Sequence, residues 1–236
     1  MRILAFETSA KAASVALLTD GNLTGEFFQN SGETHSRTVL RLADELLKSC
    51  NLSPAEIDAV AWANGPGSFT GVRIGAAAAK GFCWGRELPA LPVSTLEAMA
   101  WNLADLKGIL CCCMDARRNQ VYNALFRSRD GRPVRLREDR ALSLDELAED
   151  LRTFQEPIFL LGDGALLTWT VLHEQLAALI LISEHLRQQR AAGVALAGWD
   201  AVLQGRTEAA ASISPNYLRL SQAERERREK ESSRGE

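Results

Sequence analysis

Gly65-Pro66-Gly67-Ser68-Phe69-Thr70-Gly71-Val72-Arg73-Ile74-Gly75 follows an apolar run, residues 57–63, and leads into an alanine-rich stretch. The order reads as strand, loop, helix. Glycines at 65, 67 and 71 allow tight turns and bring backbone N–H groups to a helix N-terminus, where anions are favoured. No Lys-Ser/Thr pair follows them, and the Gly-x-Gly-x-x-x-Gly spacing is one residue longer than the dinucleotide fingerprint. Two readings stay open. The loop holds a phosphate, or its glycines only turn the chain and let the helix pack, with Thr70 as the cap.

Working outward, residues 3–6 and 14–18 read as strands, the second passing through Asp20-Gly21-Asn22 into 23–29 as a hairpin. From 35 to 50 the period becomes helical: Val39, Leu42, Ala43, Leu46, Leu47 and Cys50 form an apolar stripe that Leu40 widens. The helix after the glycine loop is expected over 75–85, and a strand over 88–93. Ser94 and Glu97 carry the capping-box spacing. After Lys107-Gly108 the order starts again, with strands at 109–114, 120–126 and 133–136, a helix at 144–151 opened by Ser143, a strand at 158–161 and a helix at 166–176. Three strands, helix, strand, helix thus occurs twice, which predicts a duplicated α/β unit without residue-level identity between halves. The division is an N-terminal lobe at 1–107, a second lobe at 108–212 and a C-terminal segment at 213–236. Residues 184–204 hold one or two more helices, broken at Gly193 or Gly198, and the tail from Ala223 alternates Glu and Arg with no apolar stripe.

The chain has 236 residues, 46% of them hydrophobic, enough for a sizeable core. Its 27 Lys and Arg against 30 Asp and Glu give a net charge of -3, so no global positive field holds a phosphate backbone. Five cysteines, three of them consecutive at 111–113, show no disulfide framework and suit a reducing compartment. The apolar start at 3–6 is too short for a signal peptide, and the longest apolar run, around 176–182, is far below membrane-spanning length. A cytoplasmic protein is expected.

Glu7-Thr8-Ser9, at the end of the first strand, offers a carboxylate and two hydroxyls for a metal–phosphate complex or for capping a turn. With Gly65, Gly67 and Gly71 these are the candidate phosphate- or nucleotide-binding residues. His35 is followed at the metal-pair position by Val39, so no second ligand shares its helix face, and no Cys-x-x-Cys pair exists. No catalytic residue and no metal ligand is assigned. Asp115-Ala116-Arg117, with Arg118 and Arg73, reads as a salt-bridged turn unless it faces the same cleft as Gly67. Arg127, Arg129, Arg132, Arg135 and Arg137 form either a basic strip able to touch a nucleic acid or a solvated hairpin.

Taken with Thr34-His35-Ser36, Pro92-Val93-Ser94-Thr95-Leu96-Glu97-Ala98, Gly162-Asp163-Gly164-Ala165 and Pro215-Asn216-Tyr217-Leu218-Arg219, these segments resemble the bacterial TsaB (YeaZ) family over nearly the whole chain. The glycine-rich stretch is the most specific match. The resemblance implies an actin-like ATPase (ASKHA) fold of two related lobes, each a mixed sheet flanked by helices. It implies a role in making threonylcarbamoyladenosine on tRNAs that read codons beginning with A, as a non-catalytic partner of the TsaD transferase, with a TsaE-like ATPase joining them. TsaD-like proteins carry a His-x-x-x-His pair where this chain has His35 and Val39, which marks it as a paralogue that has lost its site. No intrinsic cofactor follows, though ATP or ADP at a complex interface does. The family's homodimer face implies His35, Val39, Leu42, Leu46, Val72, Arg73, Gly75, Ala76 and Ala79 as interface residues, with tRNA met only through the complex and no membrane partner. The alternative is a nucleotide-binding, ATPase-like enzyme or a metallopeptidase homologue of the same superfamily.

Overall fold

A computed structural model describes residues 1–219; the charged tail expected from Ala223 lies outside the described residues. The first sheet contains β1 (Arg2–Glu7), β2 (Ala13–Thr19), β3 (Asn22–Gln29), β4 (Ala59–Gly65) and β5 (Ala90–Ser94), in the order β3-β2-β1-β4-β5. Asp20 and Gly21, at φ 47° and 81°, make the β2–β3 turn, both left-handed as a tight hairpin requires. The second sheet contains β6 (Ile109–Asp115), β7 (Gln120–Arg129), β8 (Arg132–Ser143), β9 (Ile158–Leu161) and β10 (Leu179–Leu181), in the order β8-β7-β6-β9-β10. Position for position, this is the first sheet's topology. In each sheet the opening strand pairs antiparallel with the second strand and parallel with the fourth.

Helices α1 (His35–Ser49) and α2 (Phe69–Cys83) bury their apolar faces with Leu4, Phe6, Val15, Leu17, Val60 and Trp62. The opposite face of that sheet, carrying Ile3, Ala5, Ala16, Leu18, Ala59 and Ala61, is covered largely by α7 (Ala191–Leu203). Helix α3 (Thr95–Trp101) contributes Ala98 there and Leu96, Met99 and Ala100 to a cluster with Leu110, Cys112 and Phe126, so it joins the two sheets. Alternate residues of β1 face opposite helix layers, and for that reason residues 3–6 read as one continuous apolar run. The second sheet packs against α4 (Leu144–Leu151) and α5 (Ala165–Leu172). Cys111 and Cys113 lie in that core and Cys112 in the cluster under α3; all five thiols are free.

The structure departs from the sequence reading in particular places. Helix α2 starts at Phe69, and its cap is Ser68, whose Oγ accepts from Gly71 N at 3.2 Å, rather than Thr70. Ser143 and Glu146 close their capping box, whereas Ser94 caps α3 alone because the Glu97 carboxylate binds Arg135 at 3.0 Å. Helix α5 ends at Leu172 rather than at 176, and the apolar stretch beyond it yields an edge strand, β10, that the sequence reading does not assign. Gly193 and Gly198 do not break α7. A Cβ on Gly193 would overlap the Ala98 carbonyl oxygen, and one on Gly198 would lie 2.9 Å from the Ala61 Cβ, so these glycines let α7 approach closely. The break falls between α6 (Glu184–Arg187) and Ala191, where the Glu26 carboxylate accepts from Ala192 N at 3.0 Å and anchors the positive end of α7. A boundary at 212 therefore assigns to the second lobe a helix that packs on the first. Glu208 bridges to Ala90 beside β5, and Ile213 enters the α1–α2 core. No helix among the described residues is long and apolar enough to cross a membrane.

Candidate site at the cleft between the lobes

The C-terminal ends of β1 and β4 in one lobe and of β6 and β9 in the other meet at a cleft of about 700 Å³. Its lining includes Ser9, Lys11, Gly67, Ser68, Thr70, Asp115, Arg117 and Asp163. Asp115-Ala116-Arg117 thus faces the same cleft as Gly67, the condition that moves it from a plain salt-bridged turn to part of the site. Asp115 accepts from Arg117 N at 2.7 Å and from its Nη1 at 3.3 Å. Arg117, Arg118 and Asn119 hold φ values of 65°, 56° and 54° in succession, a left-handed run that costs the two arginines about 1 kcal/mol or more each and that asparagine tolerates better.

The glycines serve packing. A Cβ on Gly67 would lie 2.5 Å from the Ser9 carbonyl oxygen, one on Gly71 would overlap that of Thr8, and one on Gly75 would lie 2.6 Å from Thr8 Oγ1. Thr8 Oγ1 donates to Gly71 O at 2.7 Å, and Ser68 N donates to Ser9 O at 2.7 Å. The loop's close approach is made to the end of β1. Gly65, at φ +114°, meets the backbone of Asn216, whose N–H donates to Asn64 O at 2.7 Å.

Glu7 lies fully buried beneath this contact, with Oε1 accepting from Ser9 N at 2.5 Å and Oε2 unpartnered among the described residues. Burial pushes its carboxyl up to about 7. The Ser9 hydrogen bonds oppose the rise, and the Asp163 charge across the cleft adds to it. Asp163, which accepts from Gln189 Nε2 at 2.9 Å, is also raised, chiefly by desolvation. Glu7 does not line the cleft, so of the candidate phosphate-binding residues it is Ser9 and Gly67 that do.

His35 Nε2 donates to Ala10 O at 2.8 Å, and Val39, one turn on, is in the core. Among the described residues no three His, Cys, Asp or Glu side chains converge where a metal ion would sit. Of the implied interface residues, Val39, Leu42, Leu46, Val72, Gly75, Ala76 and Ala79 are buried, six of them side by side in the α1–α2 core. Within the single chain these side chains are spent on the first sheet, because the stripe of an amphipathic helix covers its own sheet first. Only Arg73 is exposed and His35 half-buried. The outward faces carry Leu40 on α1 and Arg73, Ala77 and Gly81 on α2, with Trp84 just past the end of α2; Leu40 is 55% and Trp84 77% exposed. The arginine strip is largely neutralised: Arg127 pairs with Glu156, Arg132 with Asp200, Arg135 with Glu97 and Asp139, and Arg137 with Asp150.

Missing from the sequence reading were the partners of the segment Asn216-Tyr217-Leu218-Arg219. Tyr217 stacks on Phe69, ring centroids 4.7 Å apart, and its hydroxyl accepts from Arg73 Nε at 2.8 Å. Arg219 Nη1 donates to Ala116 O at 2.9 Å and Nη2 to Gln120 Oε1. The aromatic and arginine at this spacing were the available signal, but their hydrogen-bond partners lie 99 to 144 residues away in sequence.

A family model described as TsaD, tRNA N6-adenosine threonylcarbamoyltransferase, matches residues 29–226. Over 226 residues the chain is 32% identical to the tRNA threonylcarbamoyladenosine biosynthesis protein TsaB of Bacillus subtilis, covering 95% of this chain and 96% of that one. The structure of YeaZ from Pseudomonas aeruginosa superposes with a TM-score of 0.80 at 25% identity, over 92% of this chain and 99% of the other. Component A of (R)-2-hydroxyglutaryl-CoA dehydratase from Acidaminococcus fermentans, at 12% identity and TM-score 0.52, covers 86% of this chain and 99% of its own. That last likeness concerns the fold alone. The architecture is the actin-like ATPase fold of two related lobes.

Proposed function

From the premise that this chain belongs to the TsaB (YeaZ) family of tRNA threonylcarbamoyladenosine biosynthesis proteins, we propose that it is the non-catalytic partner of a TsaD-type transferase. The observation that carries this reading is the use made of the glycine loop: Gly67, Gly71 and Gly75 are pressed against Thr8 and Ser9, where a phosphate-binding loop would keep its backbone open to ligand. Val39 in the core, at the position of the family's second metal-binding histidine, supports it. The chain works in the cytoplasm, pairs with itself in isolation and exchanges its twin for the transferase. A TsaE-like ATPase joins the pair, with ATP or ADP held at the complex interface and tRNA contacted through the assembly.

The pairing surface is the outward side of α1 and α2. Arg73, Ala77 and Gly81 recur at helical spacing with the exposed Trp84 ring just beyond the helix end, and the small residues let a partner helix come close. Ala77→Arg and Leu40→Arg place a charge on this surface without entering the core. Each is expected to leave thermal stability nearly unchanged, to make the chain monomeric by sizing chromatography, and to cut complex-dependent threonylcarbamoylation more than ~10-fold. Full activity of both variants would contradict the assigned surface. Ala76→Arg is no test of it, because Ala76 is buried and the charge would destabilise the fold itself.

A second reading, nucleotide binding by the isolated chain, rests on Asp115, Arg117 and Gly67 sharing one cleft. Titration calorimetry with ATP and ADP in the presence of Mg²⁺ decides it: heat saturating at one equivalent favours that reading, and silence the partner role.

A further inference from the structure

Residues 215–219 cross the mouth of the cleft and are fastened on both sides. In the first lobe Asn216 N holds Asn64 O, and Tyr217 stacks on the Phe69 ring while its hydroxyl accepts from the Arg73 guanidinium, which itself lies 3.8 Å over Phe69. In the second lobe the Arg219 guanidinium grips the turn between β6 and β7 at both ends, through Ala116 O and the Gln120 side chain. That turn is the one with three successive left-handed residues, none of them glycine. Its internal bonds are Ala116 N to Gln120 O at 3.0 Å and Gln120 N to Arg117 O at 3.2 Å, with Asp115 holding Arg117. A conformation that sterics disfavour persists where its surroundings over-determine it; from outside the hairpin, β8 contributes the Gln120–Ser143 pairing and the strap contributes Arg219.

We propose that residues 215–219 are a latch: Tyr217 and Arg219 fix the angle between the lobes and hold the turn at 117–119 in its strained form, and release of Arg219 opens the cleft. The device has two sides because the strap is anchored in one lobe and pulls on the other. Opening relaxes the turn, so the strain favours the open state and the charge-assisted bonds of Arg219 favour the closed one. Tyr217 places the first-lobe end of the strap on α2, next to its outward face.

The test is hydrogen–deuterium exchange on the full chain and on Arg219→Ala. The expected result is exchange roughly tenfold faster at 67–70 and at 116–120, on opposite sides of the cleft, with β1 and β6 unchanged. Tyr217→Ala gives the same pattern if the strap acts as one unit. Arg118→Gly, which relieves the left-handed strain, is expected to shrink the Arg219→Ala effect at 116–120, since a glycine turn no longer needs holding. Faster exchange confined to the strap, or an Arg118→Gly background that leaves the Arg219→Ala effect undiminished, overturns the latch.

Discussion

Gly71→Ala is expected to cost the chain about 3 kcal/mol or more, lowering Tm by roughly 6–12 °C for a domain of this size. The added Cβ would overlap the Thr8 carbonyl oxygen, which is backbone of a fully buried strand end and cannot swing aside as a flexible side chain would. Either α2 shifts off the sheet, disturbing Val72, Ala76 and Ala79, or β1 loses its register with β4. Gly81→Ala is the control on the same helix. Nothing lies within 4 Å of a Cβ there, and the position is exposed, so the change is expected to stabilise by about 0.5–1 kcal/mol through helix propensity and lost chain entropy. Thermal unfolding of both variants separates the two readings of the glycine-rich loop. If Gly71→Ala unfolds at the wild-type temperature, packing is not what the glycine serves.

The second large effect concerns Glu7. Its carboxyl is raised from an ordinary value of 4.5 to about 7, because burial leaves the charged form with one hydrogen bond and an unpartnered oxygen. The folded chain therefore binds this proton more tightly than the unfolded chain does. Below pH 4.5 both states are protonated and Glu7 contributes no pH dependence. Between 4.5 and about 7 the unfolded state gives up its proton first, so stability falls as pH rises, and above 7 the full loss, about 3 kcal/mol, is in place. Glu7→Gln keeps the shape and an acceptor for Ser9 N while removing the titration. Its stability is expected to match wild type near pH 4.5 and exceed it by about 3 kcal/mol at pH 8. Parallel denaturation curves across that range would refute the assignment.

Much of the fold was legible because local signals agreed with one another. Asp20-Gly21 specified a left-handed turn, Ser143 and Glu146 specified a helix start, and the repeated succession of elements reappears as two sheets of equal topology. What stayed hidden depended on distant contacts. The apolar run around β10 has the same composition whether it forms a strand or a helix, and only its parallel pairing with β9 decides. Gly193 and Gly198 look like breaks until Ala98 and Ala61 are seen against them. The apolar stripe of α1 suits both a core and a partner, and a single-chain stripe cannot say which of two surfaces it meets first; here the sheet takes it, leaving Leu40, Ala77 and Trp84 outward. The site was legible in part. The Glu7-Thr8-Ser9 and Gly65-to-Gly71 segments do meet, but their meeting is a packing contact, and the cleft's second wall at Asp115 to Arg117 follows only from the closure of two lobes.

The near-neutral charge noted in the sequence also has a local form, since most arginines of the β7–β8 hairpin are paired with neighbouring acids. The central claim, a partner that enables a transferase without doing the transfer, meets its most direct test in reconstitution. Purified TsaD-type transferase, threonylcarbamoyl-adenylate and tRNA are combined with a TsaE-type ATPase and ATP, with or without this chain, and modified adenosine is counted by mass spectrometry. No product is expected from this chain alone, and product from the transferase mixture only when the chain is added. Product formed by this chain alone, or formed equally in its absence, would contradict it.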